Sequence, residues 1–241
     1  VCWLVKDNKE DLEDEEDFDL LEERLLNYPA LAIAQCHRVM NGMSKKLRKN
    51  VNRAMNLLND YQQDKYDKVQ RKEDLIDKYE SRLGEYLIQL TKREMNSAQT
   101  RQTSLYLHTI NDFERIGDHA LDIYEFSLKL EPYKDLKLDE IEGLSLFVVK
   151  MIENSIKAYV NKDYELAEKV IKDDDYVDEK YAEIIDKLSK NEYSIDGKCL
   201  PFAIYTTLVV KYLERIADHS VNISEWVVYI FNGFYKDIKI F

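Results

Sequence analysis

The feature that most constrains this chain is a long repeat. "YLHTINDFERIGDHALDIYEF" (106–126) recurs as "YTTLVVKYLERIADHSVNISEW" (205–226). Glu114 pairs with Glu214, Arg115 with Arg215, Ile116 with Ile216, Asp118 with Asp218 and His119 with His219, at a constant offset of 100. Upstream, "EDLIDKYE" (73–80) answers "DDYVDEKY" (174–181) at an offset of 101. A repeat of this period predicts two similar units in tandem, each able to bury an apolar stripe.

Within each unit the signal is helical. The chain has six glycines and three prolines in 241 residues. Ile76, Tyr79, Leu83, Leu87 and Leu90 follow one another at three- and four-residue steps, the period of an amphipathic helix. Asn27 is a candidate cap for a helix over about 29–59, with Pro29 in its first turn. Further helices are predicted over about 62–94, 98–130 with Ser97 as cap, 140–160, 163–190 and 198–231; Pro132 and Asn232–Gly233 are the stop signals. The fold class is all-α: an elongated six-helix protein of two tandem three-helix bundles. The expected division is an acidic or partly disordered segment at 1–26, a first bundle at 27–133 and a second at 134–241.

Charge narrows the partners. The net charge is -12, and eleven acids with two lysines fall in residues 1–23. The acidic balance argues against nucleic acid. The one dense basic run, "KKLRKNVNR" (Lys45 to Arg53), reads as a solvated helix face. No stretch of 18 apolar residues is present, so nothing here spans a membrane. Cys2, Cys36 and Cys199 form no metal-binding or disulfide pattern, and Cys36 and Cys199 are expected to be buried.

On a helical wheel through 106–126, Ile116, Ile123 and Ala120 define the core side, and Glu114, Asp118 and Glu125 fall about 140–180° away. The second signature helix repeats this with Glu214, Asp218 and Glu225. Glu114 and Asp118 are one turn apart, about 6 Å. A cation between them would turn their repulsion into attraction, and oxygen ligands suit Mg, Mn or Fe. Completing a site needs further acids from a neighbouring helix: Glu73 and Asp77 in one unit, Asp174 and Asp178 in the other. The acids are expected to face outward. Asp122 and Asn222 are matched oxygen donors. Arg115 and Arg215 are expected to anchor carboxylates on neighbouring helices, and His119 and His219 to pack between the two stripes. The spacing lacks the inward E-x-x-H step of a di-iron bundle. No nucleophile or phosphate-loop motif is present, so no enzyme activity is expected; a metal-dependent hydrolase at the acid stripes is the lesser alternative.

"DFERIGDHALDIYE" and "YLERIADHSVNISEWVVYIFNG" resemble the two signature helices of the PhoU family of phosphate-transport regulators, over roughly residues 29–235. "LLEERLLNYPALAI" (20–33) resembles the start of the cytoplasmic PhoU-like domain at the C-terminus of sodium/phosphate cotransporter family proteins. The resemblance implies multinuclear iron or zinc clusters, rather than manganese or magnesium. Their ligands would be Glu73, Asp77, Glu114, Asp118, Asp174, Asp178, Glu214 and Asp218. It further implies a conformational regulator of phosphate uptake at the cytoplasmic side of the membrane or in the cytoplasm. Its implied partner is a cotransporter membrane domain, or, as a stand-alone regulator, the phosphate transport and signalling machinery. A homodimer, and phosphate bound through metal, are further expectations.

Overall fold

The computed structural model describes residues 17–57, 63–133, 136, 139–190, 199–232, 234–235 and 238–239. Six long helices carry the chain: α1 (Pro29–Leu57), α2 (Gln63–Thr91), α3 (Ser97–Leu130), α4 (Asp139–Asn161), α5 (Tyr164–Ser189) and α6 (Cys199–Asn232). A two-residue antiparallel pairing, β1 (Phe234–Tyr235) with β2 (Ile238–Lys239), follows α6. No helix among the described residues is long and apolar enough to cross a membrane.

The helix ends sharpen two expectations. Asn96, not Ser97, caps α3: its side chain accepts from Gln99 N while Gln99 Oε1 accepts from Asn96 N, a reciprocal box that satisfies two otherwise unpaired amides. Asn27 does not cap α1. It ends a 3-10 turn (Glu23–Asn27), and the carbonyl of Tyr28 takes the first helical bonds, from Leu31 and Ala32. Pro29 then fills the first helical position, where no amide hydrogen is needed.

The end of the acidic segment is held on the first bundle. Phe18 is buried and its ring lies 4.7 Å from that of Tyr79. Tyr79 Oη donates to Asp17 Oδ2 at 2.6 Å, and Tyr86 Oη to the carbonyl of Glu22 at 2.9 Å. Leu26 is 2% exposed. Two apolar anchors among acids suffice to dock the segment, since each contributes about 1.5–3 kcal/mol on burial. Residues 1–16 lie outside the described residues.

Helices α1–α3 form one bundle and α4–α6 a second, similar one. They join along α3 and α6, the two signature helices, and more lightly along α1 and α4. The core is continuous across that join: Tyr159 of α4 is buried against Met40 of α1 and Phe113 of α3. Cys36 is buried there too, and burial pushes its thiol up to about 12. The side chain of Cys199 lies outside the described residues.

The α3–α6 seam also carries a polar cluster. His219 Nδ1 donates to Asp112 Oδ1 at 2.9 Å, and Asn222 Nδ2 reaches the same oxygen at 3.3 Å. The rings of His119 and His219 lie 5.6 Å apart. The repeat places Tyr212 opposite Asp112, and the Tyr212 ring sits 5.3 Å from His119. Because His119 and His219 directly follow Asp118 and Asp218, the two acid clusters flank this one seam.

Candidate metal centre

The acids of the first unit converge where α2 meets α3. Ligand-capable oxygens of Glu73, Asp77 and Asp118 lie within 4.8 Å of one another. Glu114 hydrogen-bonds with Asp118 and completes the group. The expectation that these acids face outward fails at Glu73, which is 4% exposed. The cause is its register: Val69 and Ile76 lie one turn to either side, both fully buried, so Glu73 sits on the core stripe of α2. Asp77 is exposed, and the side chains of Glu114 and Asp118 are 23% and 38% exposed.

Glu73 fits its place because of two partners. Asn50 of α1 holds Oε2 at 3.4 Å. Oε1 is buried with no hydrogen-bond partner. Across the seam lies Gly117, where an added Cβ would stand 2.5 Å from both carboxylate oxygens. Only a residue without a side chain lets the carboxylate lie so close to α3.

The electrostatics follow. Burial, then the charges of Asp118, Asp77 and Glu114, push Glu73 up to about 8. Burial and Asp118 push Glu114 up to about 7, against the opposing pull of Arg115. Asp77 is raised by burial and by Asp118. These carboxyls crowd together at a cost, and a multivalent cation is the species that reverses it. The unpartnered Glu73 oxygen, the glycine cradle and an all-carboxylate donor set fit a hard or intermediate metal.

The second unit builds a shallower version. Asp174 is half-buried, and Asp178 is exposed. The side chains of Glu214 and Asp218 are 25% and 37% exposed. Asp174 is raised to about 6 by burial and then by Asp178, Asp218 and Glu214, so all four are neighbours. Burial and Asp218 likewise raise Glu214. No second trio as convergent as the first occurs among the described residues. Position 217 is alanine where position 117 is glycine. A methyl thus stands where a longer acid would need room, and the acid opposite is the shorter aspartate.

The other candidates fall as follows. Arg115 pairs with Glu114 and Asp118 on its own helix, at 3.4 and 3.5 Å, and Arg215 does the same with Glu214 and Asp218 at 3.8 and 3.4 Å. The expected partners on neighbouring helices are therefore replaced by acids one to three residues away, which the side chain reaches without crossing the seam. Glu125 accepts from Tyr66 Oη at 3.1 Å, tying α2 to α3. His119 and His219 pack at the α3–α6 seam as their wheel position implied. Asn50, Gly117 and Asp112 went unnoticed in the sequence. Asn50 and Asp112 act on other helices, which periodicity within one helix does not show.

Fold and site together define a class: tandem three-helix bundles with an acid-lined seam in each. The PhoU domain description matches residues 40–127 and 141–227, and the chain belongs to the PhoU family. Among its relatives is a "phosphate-specific transport system accessory protein PhoU homolog" of Clostridium acetobutylicum. It is 28% identical over 211 residues, covering 86% of this chain and 95% of the relative. PhoU homolog 1 of Thermotoga maritima is 31% identical over 181 residues, covering 72% and 75%. The crystal structure of PhoU from Pseudomonas aeruginosa superposes with a TM-score of 0.75 at 23% identity, over 86% of this chain and 99% of that one. PhoU from Streptococcus pneumoniae gives 0.76 at 19% identity, over 87% and 100%. The Clostridium and Thermotoga relatives are named as accessory proteins of a phosphate-specific transport system, and the Streptococcus protein as a phosphate transport system regulatory protein.

Proposed function

We propose that this chain is an accessory regulator of a phosphate transport system, with residues 27–133 and 134–241 as its two units. The observation that carries the reading is the paired PhoU match, whose two halves each contain one of the acid clusters. The full-length relatives named for phosphate-specific transport favour a regulator of that system over a cotransporter-fused domain. Its site of action is the cytoplasmic side of the membrane, against the transporter. The test is loss of the chain in its own host: phosphate uptake under phosphate-rich conditions should become unrestrained and be restored by wild type. Uptake that is indifferent to the chain would contradict the reading.

Glu73, Asp77, Glu114 and Asp118, and Asp174, Asp178, Glu214 and Asp218, are the residues that would hold metal: the all-carboxylate donor set suits a hard or intermediate cation, and the family resemblance implies iron or zinc. Bound metal supplies positive charge at each seam. The chain's own part is to hold the carboxylates ready: Asn50 orients Glu73, Gly117 admits it, and Arg115 and Arg215 offset the charge of the outer acids. Phosphate would approach this acid face only through such a metal.

A second reading rests on "LLEERLLNYPALAI" (20–33), which resembles the entry to a sodium/phosphate cotransporter's regulatory domain. Membrane-spanning segments encoded upstream in the same polypeptide would support it, and their absence would remove it.

A further inference from the structure

The outer face of α1 carries the strongest cationic feature of this acidic chain. Arg38, Lys45, Lys46 and Lys49 line a cavity of about 420 Å³, together with Asp17. An adjoining cavity of about 360 Å³ shares Asn41 and Lys45 with it and adds Arg48 and Lys157 of α4. Six cationic side chains therefore line these two adjoining cavities, which together make a trough with a single carboxylate among its lining residues. That carboxylate is committed elsewhere: Asp17 takes the Tyr79 hydroxyl, and it lies so close to α1 that any side chain at Gly42 would collide with it.

Four of the six cations are not neutralised by neighbouring carboxylates. Among the described residues no carboxylate pairs with Lys45, Arg48, Lys49 or Lys157. Lysines elsewhere on the surface do pair, as Lys150 with Glu153, Lys169 with Asp173 and Lys180 with Glu183. Nor is the face a property of the repeat. Gly42 and Ser44 answer Gly143 and Ser145 at an offset of 101, and in that register Lys45, Lys46 and Arg48 face Leu146, Phe147 and Val149. At these three positions one half has cations where the other has apolar residues, whereas Lys49 faces Lys150.

We propose that this trough binds a soluble anion carrying several linked phosphate groups, such as a condensed phosphate. From Arg38 to Lys49 the helix rises about 16 Å, longer than a single phosphate can bridge. The cations line recessed walls rather than a flat surface, which suits a ligand that enters the groove over a bilayer that would lie across it. No aromatic ring lines either cavity, so there is no platform for a nucleobase. Several ammonium and guanidinium groups around one groove match the equally spaced charges of a phosphate chain. This site is separate from the acid clusters, and it stands or falls independently of their metal.

The test is calorimetric titration of the full chain with sodium tripolyphosphate in buffer containing EDTA, so that metal at the acid face contributes nothing. Saturable binding that weakens with rising salt is expected. The pair Lys45→Ala with Lys49→Ala should weaken it at least tenfold, and Arg48→Ala with Lys157→Ala should weaken it severalfold. Lys169→Ala with Lys180→Ala on α5 should leave it unchanged. All of these positions are exposed or part-exposed or make only surface pairs, and circular dichroism checks that each variant is folded. The proposal is overturned by an absence of saturable binding at millimolar tripolyphosphate. Equal binding by the Lys45/Lys49 variant, or equally tight binding of orthophosphate, also overturns it. So does Lys45-dependent binding to phosphatidylglycerol vesicles without binding of tripolyphosphate.

Discussion

The two acid clusters come from one repeated pattern, yet they differ in depth. In the first, Glu73 reaches into the core stripe of α2 and lies against Gly117. In the second, Asp174 is one methylene shorter and faces a helix with alanine at 217. The first cluster pushes its deepest acid to about 8, the second only to about 6. The two halves thus match in the number and placement of the carboxylates and differ in acid length and in the facing small residue. The deeper acid is raised further above its ordinary value, chiefly by burial, so a cation that ionises it has more to offset there.

The largest expected effect is on pH and stability. Between 4.5 and about 8 the folded chain keeps a proton on Glu73 that the unfolded chain releases. Native protein therefore binds more protons than unfolded protein in this window, and stability falls as pH rises through it. The stabilisation is complete below the unfolded value and lost above about 8. The span corresponds to on the order of 5 kcal/mol. In chelator-treated protein, Glu73→Gln should flatten the thermal-stability profile from pH 5 to 8. Asp174→Asn should change it much less. Equal profiles for the two variants would erase the difference between the clusters.

Next in size is the exchange at the facing helix. Gly117→Ala should expel the Glu73 carboxylate and weaken divalent-metal binding at the first cluster about tenfold, a loss of about 1.4 kcal/mol. Ala217→Gly should leave metal binding at the second cluster unchanged and cost about 1 kcal/mol of stability through helix propensity. Metal titration and urea unfolding of the two variants check both. The smallest effect concerns a tie present in one half only. Tyr66 bonds Glu125 across α2 and α3, and its repeat partner is Ala167. Tyr66→Phe should cost about 0.5–1 kcal/mol in urea unfolding.

Much of this was legible in the chain itself. The six helices lie within a few residues of the periodic runs, because long amphipathic stripes without glycine or proline leave few alternatives. The matched acid pairs were visible as a repeat. Their depth was not read, although the signal was present: Val69, Glu73 and Ile76, like Val170, Asp174 and Val177, share one stripe. A wheel drawn for α3 alone placed its acids away from the core, but that side of α3 faces α2 rather than open solvent. Asn50 and Asp112 escaped because their partners are on other helices. The docking of Phe18 escaped because acids surround it in sequence, whereas in space it meets Tyr79.

The central claim is that metal replaces protons in a carboxylate cluster whose deepest member, Glu73, is buried. It is tested most directly by titrating chelator-treated protein with iron(II) or zinc at pH 7 while recording proton release. The account predicts saturable uptake at the first cluster with between about one and two protons released per ion, because Glu73 and, in part, Glu114 hold protons at that pH. Glu73→Gln should lose most of that release together with most of the affinity. Absence of uptake, or uptake with the same proton release in Glu73→Gln, would contradict the account.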